Sequence, residues 1–345
     1  MICGHGDDLY QYKNIEINFS SNVYNNLDLS ELKAFLNQNI DAIHSYPEPD
    51  ARTLAQKISL QEQVEINNIA VTNGATESIY LIAQAFRKSK TAVLSPVFSE
   101  YADACQIHSH NVKHIFHLDA LTEDIELFWL CNPNNPIGKV YEAEKLLHLI
   151  KKYSNTIFIM DHSYAQFVLN PIIDINAAIQ YPNVIILKSM TKCFAIPGLR
   201  LGYMCAHKKL IGKIKPYCIP WAVNQMAQQA GIFLLEHQKS LQIPLETLLK
   251  QTQSLQNSIS QIPDMNVFPT QTHYFLVRLM QNKTAAQLKK HLADEHHILI
   301  RDASNFVGLD AQYFRLACQN KQSNILLIKA LYDWSIKYDE TVNHP

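Results

Sequence analysis

Short apolar runs alternate with longer amphipathic segments between about residue 69 and residue 205. Runs of this length predict strands, and the segments between them have the periodicity of helices. The predicted strands cover residues 69–72, 91–94, 127–130, 156–160, 184–187 and 201–204, and the predicted helices cover residues 76–88, 98–108 and 142–153. This alternation indicates an α/β fold with a mostly parallel sheet that is covered by helices on both faces.

The rest of the chain has a different pattern. Residues 220–261 are predominantly helical in periodicity, and Pro244 is the expected break. The segment that follows predicts a small α+β unit, with strands near residues 274–279, 297–301 and 313–318 and helices near residues 284–293 and 322–337. We therefore expect a large domain (46–238), a small C-terminal domain (239–345) and an N-terminal arm (1–45) that packs with the small domain.

Composition and charge exclude several classes of protein. The formal net charge is −1, without the basic character of a nucleic-acid-binding protein. No run approaches the roughly 18 apolar residues of a membrane span, and the start of the sequence lacks the basic and apolar regions of a signal peptide. The seven cysteines are scattered and form no C-x-x-C, which favours reduced thiols in a cytoplasmic protein.

Two histidine pairs raise the question of a metal ion. They are His108 with His110, and His296 with His297. Because no carboxylate or cysteine cluster with ligand spacing accompanies them, we expect solvated histidines and no metal site.

The chemistry is most concentrated around Lys192. This lysine follows the predicted strand 184–187, with Ser189 and Thr191 before it and Arg200 eight residues later. A partly desolvated lysine is a nucleophile toward a carbonyl, and hydroxyls and an arginine can hold a phosphate. Pyridoxal phosphate needs both features. Taken alone, however, this segment is better explained by a surface lysine at the edge of a sheet, and the other motifs of the chain are needed to favour the cofactor.

A second phosphate-binding element is predicted between a strand and a helix. Gly74, Ala75 and Thr76 lie there, and the free N–H groups of a helix start can bind an anion. Thr76 could instead be only the residue that caps the helix.

Three further polar or aromatic clusters follow predicted strands. Asn135 lies in a proline-rich turn, Asp161 and Tyr164 follow strand 156–160, and Phe98 lies in the segment 95–101. A carboxylate at a strand end can pair with a pyridinium nitrogen, and Asn135 and Tyr164 can bind a phenolate oxygen. The alternatives are a helix cap for Asp161 and a core aromatic for Phe98.

In this order and spacing, the motifs resemble the fold-type-I pyridoxal phosphate enzymes of the aminotransferase class I/II superfamily. The resemblance implies a large domain with a mostly parallel, seven-stranded type of sheet and a small α+β domain. It implies that Lys192 forms the bond to the cofactor aldehyde and that Asp161 pairs with the pyridinium nitrogen. Asn135 and Tyr164 would hold the ring oxygen, and Phe98 would stack on the ring. The phosphate would lie between Ala75, Thr76, Ser189, Thr191 and Arg200, beside Gly74.

The same resemblance extends to the partner and the substrate. Tyr46 matches the tyrosine that reaches the phosphate in a neighbouring subunit, which implies a homodimer with shared sites. Arg315 matches the arginine that binds the α-carboxylate of an amino-acid substrate, and Asn22 matches a residue of the same pocket.

Three segments resemble the threonine-phosphate decarboxylases, relatives of the histidinol-phosphate aminotransferases. They are the element around His5, the Lys192 segment and residues 298–309, and residues 220–224 agree with them. This resemblance implies that His5 and Arg301 bind a substrate phosphate. The non-functional alternatives are a disordered terminus for His5 and a surface ion pair for Arg301. The acidic residues Asp7 and Asp8 also depart from the pattern of a phosphate site.

Three function classes remain open at this point. The first is a decarboxylase of a phosphorylated amino acid, most of all threonine phosphate. The second is an aminotransferase for histidinol phosphate or an aromatic amino acid. The third is a non-catalytic cofactor-binding regulator, for which the chain lacks room for an N-terminal DNA-binding domain.

Overall fold

The central element of the fold is a seven-stranded sheet. The structure is a computed structural model that describes residues 8–280 and 283–342, with the backbone alone for residues 337–342. Ahead of the sheet lie strand β1 (Ile17–Asn18) and helices α1 (Ser30–Gln38) and α2 (Arg52–Glu62). The sheet region contains β2 (Ile69–Thr72), α3 (Gly74–Ala85), β3 (Lys90–Leu94), α4 (Glu100–Ile107), β4 (Asn111–Ile115), β5 (Leu127–Cys131), α5 (Ala143–Lys152), β6 (Ile157–Asp161), α6 (Ile175–Ala178), β7 (Val184–Ser189) and β8 (Gly202–Ala206).

The strand order is β2-β8-β7-β6-β5-β3-β4, and only β8 runs antiparallel to its neighbours. Strands β5, β6 and β7 are buried almost throughout. Near-continuous apolar runs of this kind are typical of parallel strands that are covered on both faces. The predicted α/β fold with a mostly parallel sheet is confirmed.

One strand of the sheet was not predicted. Strand β4 pairs with β3 at the edge, and its residues alternate between exposed and partly buried positions. The sequence Asn-Val-Lys-His-Ile contains too few apolar residues to stand out as a strand without its neighbour.

The C-terminal half adds a smaller antiparallel sheet. Its elements are α7 (Lys208–Ile214), α8 (Gln225–Glu236), α9 (Leu245–Ile259), β9 (Met265–Val267), β10 (Tyr274–Leu279), α10 (Ala285–His296), β11 (Ile298–Leu299), β12 (Arg301–Asp302), β13 (Tyr313–Ala317) and α11 (Lys321–Val342). The sheet has the order β12-β13-β10-β9. Pro244 stands directly before α9, as the predicted break requires.

The strand predicted at residues 297–301 is two strands. Strand β11 pairs in parallel with β1, and β12 pairs with β13 in the small sheet. The pairing of β1 with β11 joins the N-terminal segment to the C-terminal half of the chain. In the described ranges, no helix combines the length and apolar character that crossing a membrane requires.

Candidate active site

The parallel strands end at a common edge, and polar residues collect there. In the register of the sheet, Cys131 of β5 lies opposite Asp161 of β6, which lies opposite Leu187 of β7. Ligands bind at this edge in open α/β sheets. A cavity of ≈ 120 Å³ opens there and is lined by Ala75, Thr76, Ile79, Phe98, Tyr101, Cys131, Asn135, Asp161, Ser163, Tyr164, Ser189, Thr191, Lys192 and Arg200.

One end of this cavity is the start of helix α3. Gly74 is the first helical residue and has φ +76°, a backbone conformation that side chains disfavour. A Cβ at Gly74 would lie 2.7 Å from Nη2 of Arg200, so the missing side chain gives the guanidinium its place at the helix start. Helix N–H groups and an arginine together form a site for an anion.

The capping role considered for Thr76 is wrong. The residue before the helix is Asn73, and Thr76 lies within the first turn and lines the cavity.

Two buried hydroxyls complete this end of the cavity. The hydroxyls of Ser189 and Thr191 lie 2.6 Å apart and are hydrogen-bonded to each other. The backbone N–H of Thr191 also donates to Oγ of Ser189, at 3.3 Å. With Arg200 they form a donor set that suits a phosphate group.

Asp161 is held at the opposite end. Its Oδ2 accepts from the hydroxyl of Tyr101 at 2.6 Å, and its Oδ1 accepts from the backbone N–H of Ser163 at 2.8 Å. Burial and the charge of Asp161 raise the pKa of Tyr101 well above its ordinary value, so this hydroxyl remains a donor. Asp161 is the last residue of β6 and caps no helix, because the next helical turn begins only at Ala165.

The amide of Asn135 has a defined orientation. Nη1 of Arg315 donates to its Oδ1. Because a guanidinium can only donate, the amide oxygen must face Arg315, which leaves the NH₂ group to donate to an anionic oxygen. Tyr164 is also buried, and this burial raises its pKa, with the charge of Arg315 acting in the opposite direction.

A larger cavity of ≈ 490 Å³ adjoins the first. Thr76, Phe98, Asn135, Tyr164, Lys192 and Arg200 line both cavities. The larger one adds Ser20, Ser21, Asn22, Tyr80, Ser99, Glu100, Arg301, Asn305, Phe306 and Arg315. Its lining therefore includes the predicted substrate residues Asn22, Arg301 and Arg315, whereas His5 lies outside the described residues.

Two buried arginines dominate the electrostatics of this larger cavity. Arg301 and Arg315 face each other across β12 and β13 and are 8% and 5% exposed. Burial, with the charge of Arg315, lowers the pKa of Arg301 to about 10, so both guanidinium groups remain charged at neutral pH. Nη2 of Arg301 donates to Oδ1 of Asn305 at 2.7 Å. Because Arg301 is buried, it does not have the surface position that the alternative assumed.

A family model for aminotransferase class I and II matches residues 14–330. The chain belongs to this family. Its members are enzymes that depend on pyridoxal phosphate.

Three members illustrate the range of functions among the relatives. A threonine-phosphate decarboxylase of Salmonella typhimurium is 30% identical over 91% of this chain and 90% of its own length. A histidinol-phosphate aminotransferase of Thermoanaerobacter pseudethanolicus is 31% identical over 84% of each protein. The crystal structure of L-threonine-O-3-phosphate decarboxylase from Porphyromonas gingivalis has a TM-score of 0.90 and 37% identity, and the match covers 92% of this chain and 99% of that one.

A polar pair in the larger cavity was not predicted from the sequence. The hydroxyl of Tyr80 donates to Oε2 of Glu100 at 2.6 Å, and both residues line the cavity. Glu100 lies within the segment 95–101 that drew attention for Phe98, but nothing in the sequence connects it with Tyr80 on the preceding helix.

A buried histidine contacts the segment that supplies one wall of the larger cavity. Nε2 of His273 lies 3.2 Å from the backbone oxygen of Asn22, and its ring packs against Phe167 at 4.0 Å between centroids. Burial lowers the pKa of His273 to about 3. The neutral ring therefore donates its proton to Asn22 and positions the segment that lines the cavity.

Asp8 raised doubt about an anion site because of its charge. It forms an ion pair with Lys289 at 2.5 Å between Oδ2 and Nζ. This ion pair offsets the negative charge of Asp8 near Arg301. The charge of Asp8 raises the pKa of Arg301, but it is a minor contribution.

Tyr46 does not line either cavity of the single chain. Its side chain is 85% exposed, and its ring lies 5.5 Å from the half-exposed ring of Trp221. Its role in a neighbouring subunit remains a prediction.

Proposed function

We propose that this chain is a pyridoxal phosphate-dependent decarboxylase of a phosphorylated amino acid, with threonine phosphate as the first substrate to test. The observation that carries the proposal is the pair of buried arginines, Arg301 and Arg315, in the cavity that Lys192 lines. Two guanidinium groups suit a substrate with two anionic groups, a carboxylate and a phosphate. The two threonine-phosphate decarboxylases, at 30% and 37% identity, support the same substrate class.

The smaller cavity fits the cofactor. Its phosphate would bind the start of α3 together with Ser189, Thr191 and Arg200, and the space at Gly74 favours this because a side chain there would displace the guanidinium. Asp161 would pair with the ring nitrogen, and Asn135 and Tyr164 would hold the ring oxygen. When bound, the cofactor supplies an electron sink for the charge that develops at the α-carbon of the substrate.

The chain's own residues would then control which bond breaks. Arg315 would bind the substrate carboxylate and Arg301 the phosphate, so that the bond between the α-carbon and the carboxyl group is oriented for cleavage. This bond breaks with its electron pair left on the α-carbon, and carbon dioxide leaves. Nζ of Lys192 would deliver the proton that the α-carbon takes up, which balances the reaction.

A single-turnover assay with threonine phosphate tests the proposal. We expect carbon dioxide and one equivalent of the phosphorylated amine from the wild-type holoenzyme, and none from Lys192→Ala. Absence of carbon dioxide from the wild type would end the decarboxylase assignment.

The histidinol-phosphate aminotransferase relative, at 31% identity, motivates a second candidate function. Histidinol phosphate carries a phosphate but no carboxylate, so only one of the two arginines would have an anionic group to bind. An aminotransferase would convert the cofactor to its pyridoxamine form when an amino donor is added. Such a spectral change with histidinol phosphate, without release of carbon dioxide, would favour this second function.

We further propose a homodimer in which Tyr46 of one subunit reaches the cofactor phosphate of the other. The support is its exposed position outside both cavities, beside the exposed Trp221. Sedimentation analysis of the holoenzyme tests this, and a monomer at assay concentrations would contradict it.

A further inference from the structure

Two helices of the C-terminal half bring together four side chains that ligate metals. His291, Glu295 and His296 lie near the end of α10, and Asp333 lies on α11. Each offers one ligand atom, and these atoms all lie within 4.8 Å of one another. We propose that this cluster binds a divalent transition-metal ion, and that zinc is the ion it suits best.

The distances already resemble those of a coordination sphere. Nδ1 of His291 lies 3.1 Å from Oε1 of Glu295, and Nε2 of His296 lies 3.3 Å from Oδ2 of Asp333. In a tetrahedral zinc site with metal–ligand distances of about 2.0–2.1 Å, neighbouring ligand atoms lie about 3.3–3.4 Å apart. Two of the distances between ligand atoms are therefore close to those of a tetrahedral zinc site. Small side-chain rotations would shorten the remaining distances, all of which are within 4.8 Å.

The donor set selects the class of ion. Two imidazoles with two carboxylates suit zinc and neighbouring transition metals, whereas magnesium and calcium prefer oxygen ligands alone. With neutral imidazoles, the two carboxylates balance the charge of a divalent ion. The side chains of His291 and His296 are 13% and 27% exposed, and those of Glu295 and Asp333 are 51% and 42% exposed, so an ion could reach the cluster from solvent.

The position of the cluster indicates a structural role. None of the four residues lines either cavity of the active site. A bound ion would link α10 to α11 and would stabilise the folded state, because the ligands come together only when these helices pack. The inference is therefore independent of the proposed reaction.

Isothermal titration of tag-free holoenzyme with zinc, after removal of metals by a chelator and dialysis, tests the proposal. We expect one zinc ion per chain, a higher melting temperature with zinc than without it, and no binding of magnesium. Asp333→Asn and His291→Ala should each weaken zinc binding by at least about tenfold, because each removes one of four ligands.

The matched control is Asp294→Asn. This substitution removes one negative charge, as Asp333→Asn does. Asp294 lies on α10, pairs with Lys290 and is outside the cluster, so zinc affinity should not change. Using two ligand variants guards against the misfolding of one, and each is checked by circular dichroism. The proposal is overturned if the metal-free wild-type protein binds no zinc in the titration, if both ligand variants bind zinc as tightly as wild type, or if magnesium binds equally well.

Discussion

Gly74→Ala is the substitution that tests the anion site most directly. Gly74 has φ +76°, and an added Cβ would lie 2.7 Å from Nη2 and 3.2 Å from Cζ of Arg200. Real Cβ atoms essentially never approach another heavy atom to under 3.0 Å, so the guanidinium must move away from the start of α3. The substitution therefore has two separable effects, one on the backbone and one on Arg200.

The two effects have different magnitudes and different readouts. A left-handed conformation costs a non-glycine residue about 1–2 kcal/mol, which should appear as lost stability. The displaced atoms belong to the end of a flexible side chain, so moving them costs little stability by itself. Loss of charge-assisted hydrogen bonds from Arg200 to a phosphate is worth about 1.5–3 kcal/mol, or roughly a ten- to hundredfold weaker affinity for the cofactor.

Urea denaturation of the apoprotein measures the first effect, and titration with pyridoxal phosphate measures the second. Gly198→Ala is the matched control, because a Cβ at Gly198 meets nothing within 4 Å although it lies in the same loop as Arg200. It should keep both wild-type values. Wild-type stability together with wild-type cofactor affinity in Gly74→Ala would refute the reasoning.

Three further predictions concern the substrate, the subunits and the support of Asp161. Arg301→Gln should raise KM for threonine phosphate at least about tenfold with little change for unphosphorylated threonine; equal losses for both substrates in steady-state assays would contradict a phosphate-binding role. Co-expression of Tyr46→Phe and Lys192→Ala subunits should restore up to about a quarter of wild-type turnover, because half of the dimers are mixed and each has one intact site; no restoration would exclude a shared site. Tyr101→Phe removes the 2.6 Å hydrogen bond to the buried Asp161 and should lower the free energy of unfolding by about 1–3 kcal/mol, and an unchanged urea midpoint would contradict this.

Much of the lining of the smaller cavity could be predicted from local sequence. Asp161, Ser189 and Lys192 each follow or end a buried apolar run, and such runs identify parallel strands whose carboxyl ends meet at one edge. Only a few neighbouring residues are needed to recognise each strand and the polar residue after it. Tyr46 was predicted from resemblance alone, and its function would require a second subunit.

The lining of the larger cavity could be predicted less well. Arg301 was expected within one continuous strand, but the chain changes sheets at Ile300, so that β12 places Arg301 opposite Arg315. Nothing in the local pattern marks this change, because Ile298, Leu299 and Ile300 form one continuous apolar run. Likewise, Tyr80 meets Glu100 only through the packing of α3 against α4.

The histidines show the same limit. His108, His110, His296 and His297 were expected to be solvated because the sequence showed no ligand cluster beside them. His110 is instead buried, and its ring is hydrogen-bonded to the hydroxyl of Thr91 and to the backbone oxygen of Ala83. The packing of α10 against α11 brings Asp333 to His296 and completes a group with His291 and Glu295.

The sequence by itself determined six of the seven strands of the large sheet and the polar residues that follow those strands, since both depend on contiguous apolar runs and the residues directly after them. Only the tertiary structure decided which distant residues face each other. The paired arginines of the larger cavity and the ligand cluster between two helices depend on strand register and helix packing, and these are set by contacts between residues far apart in the chain.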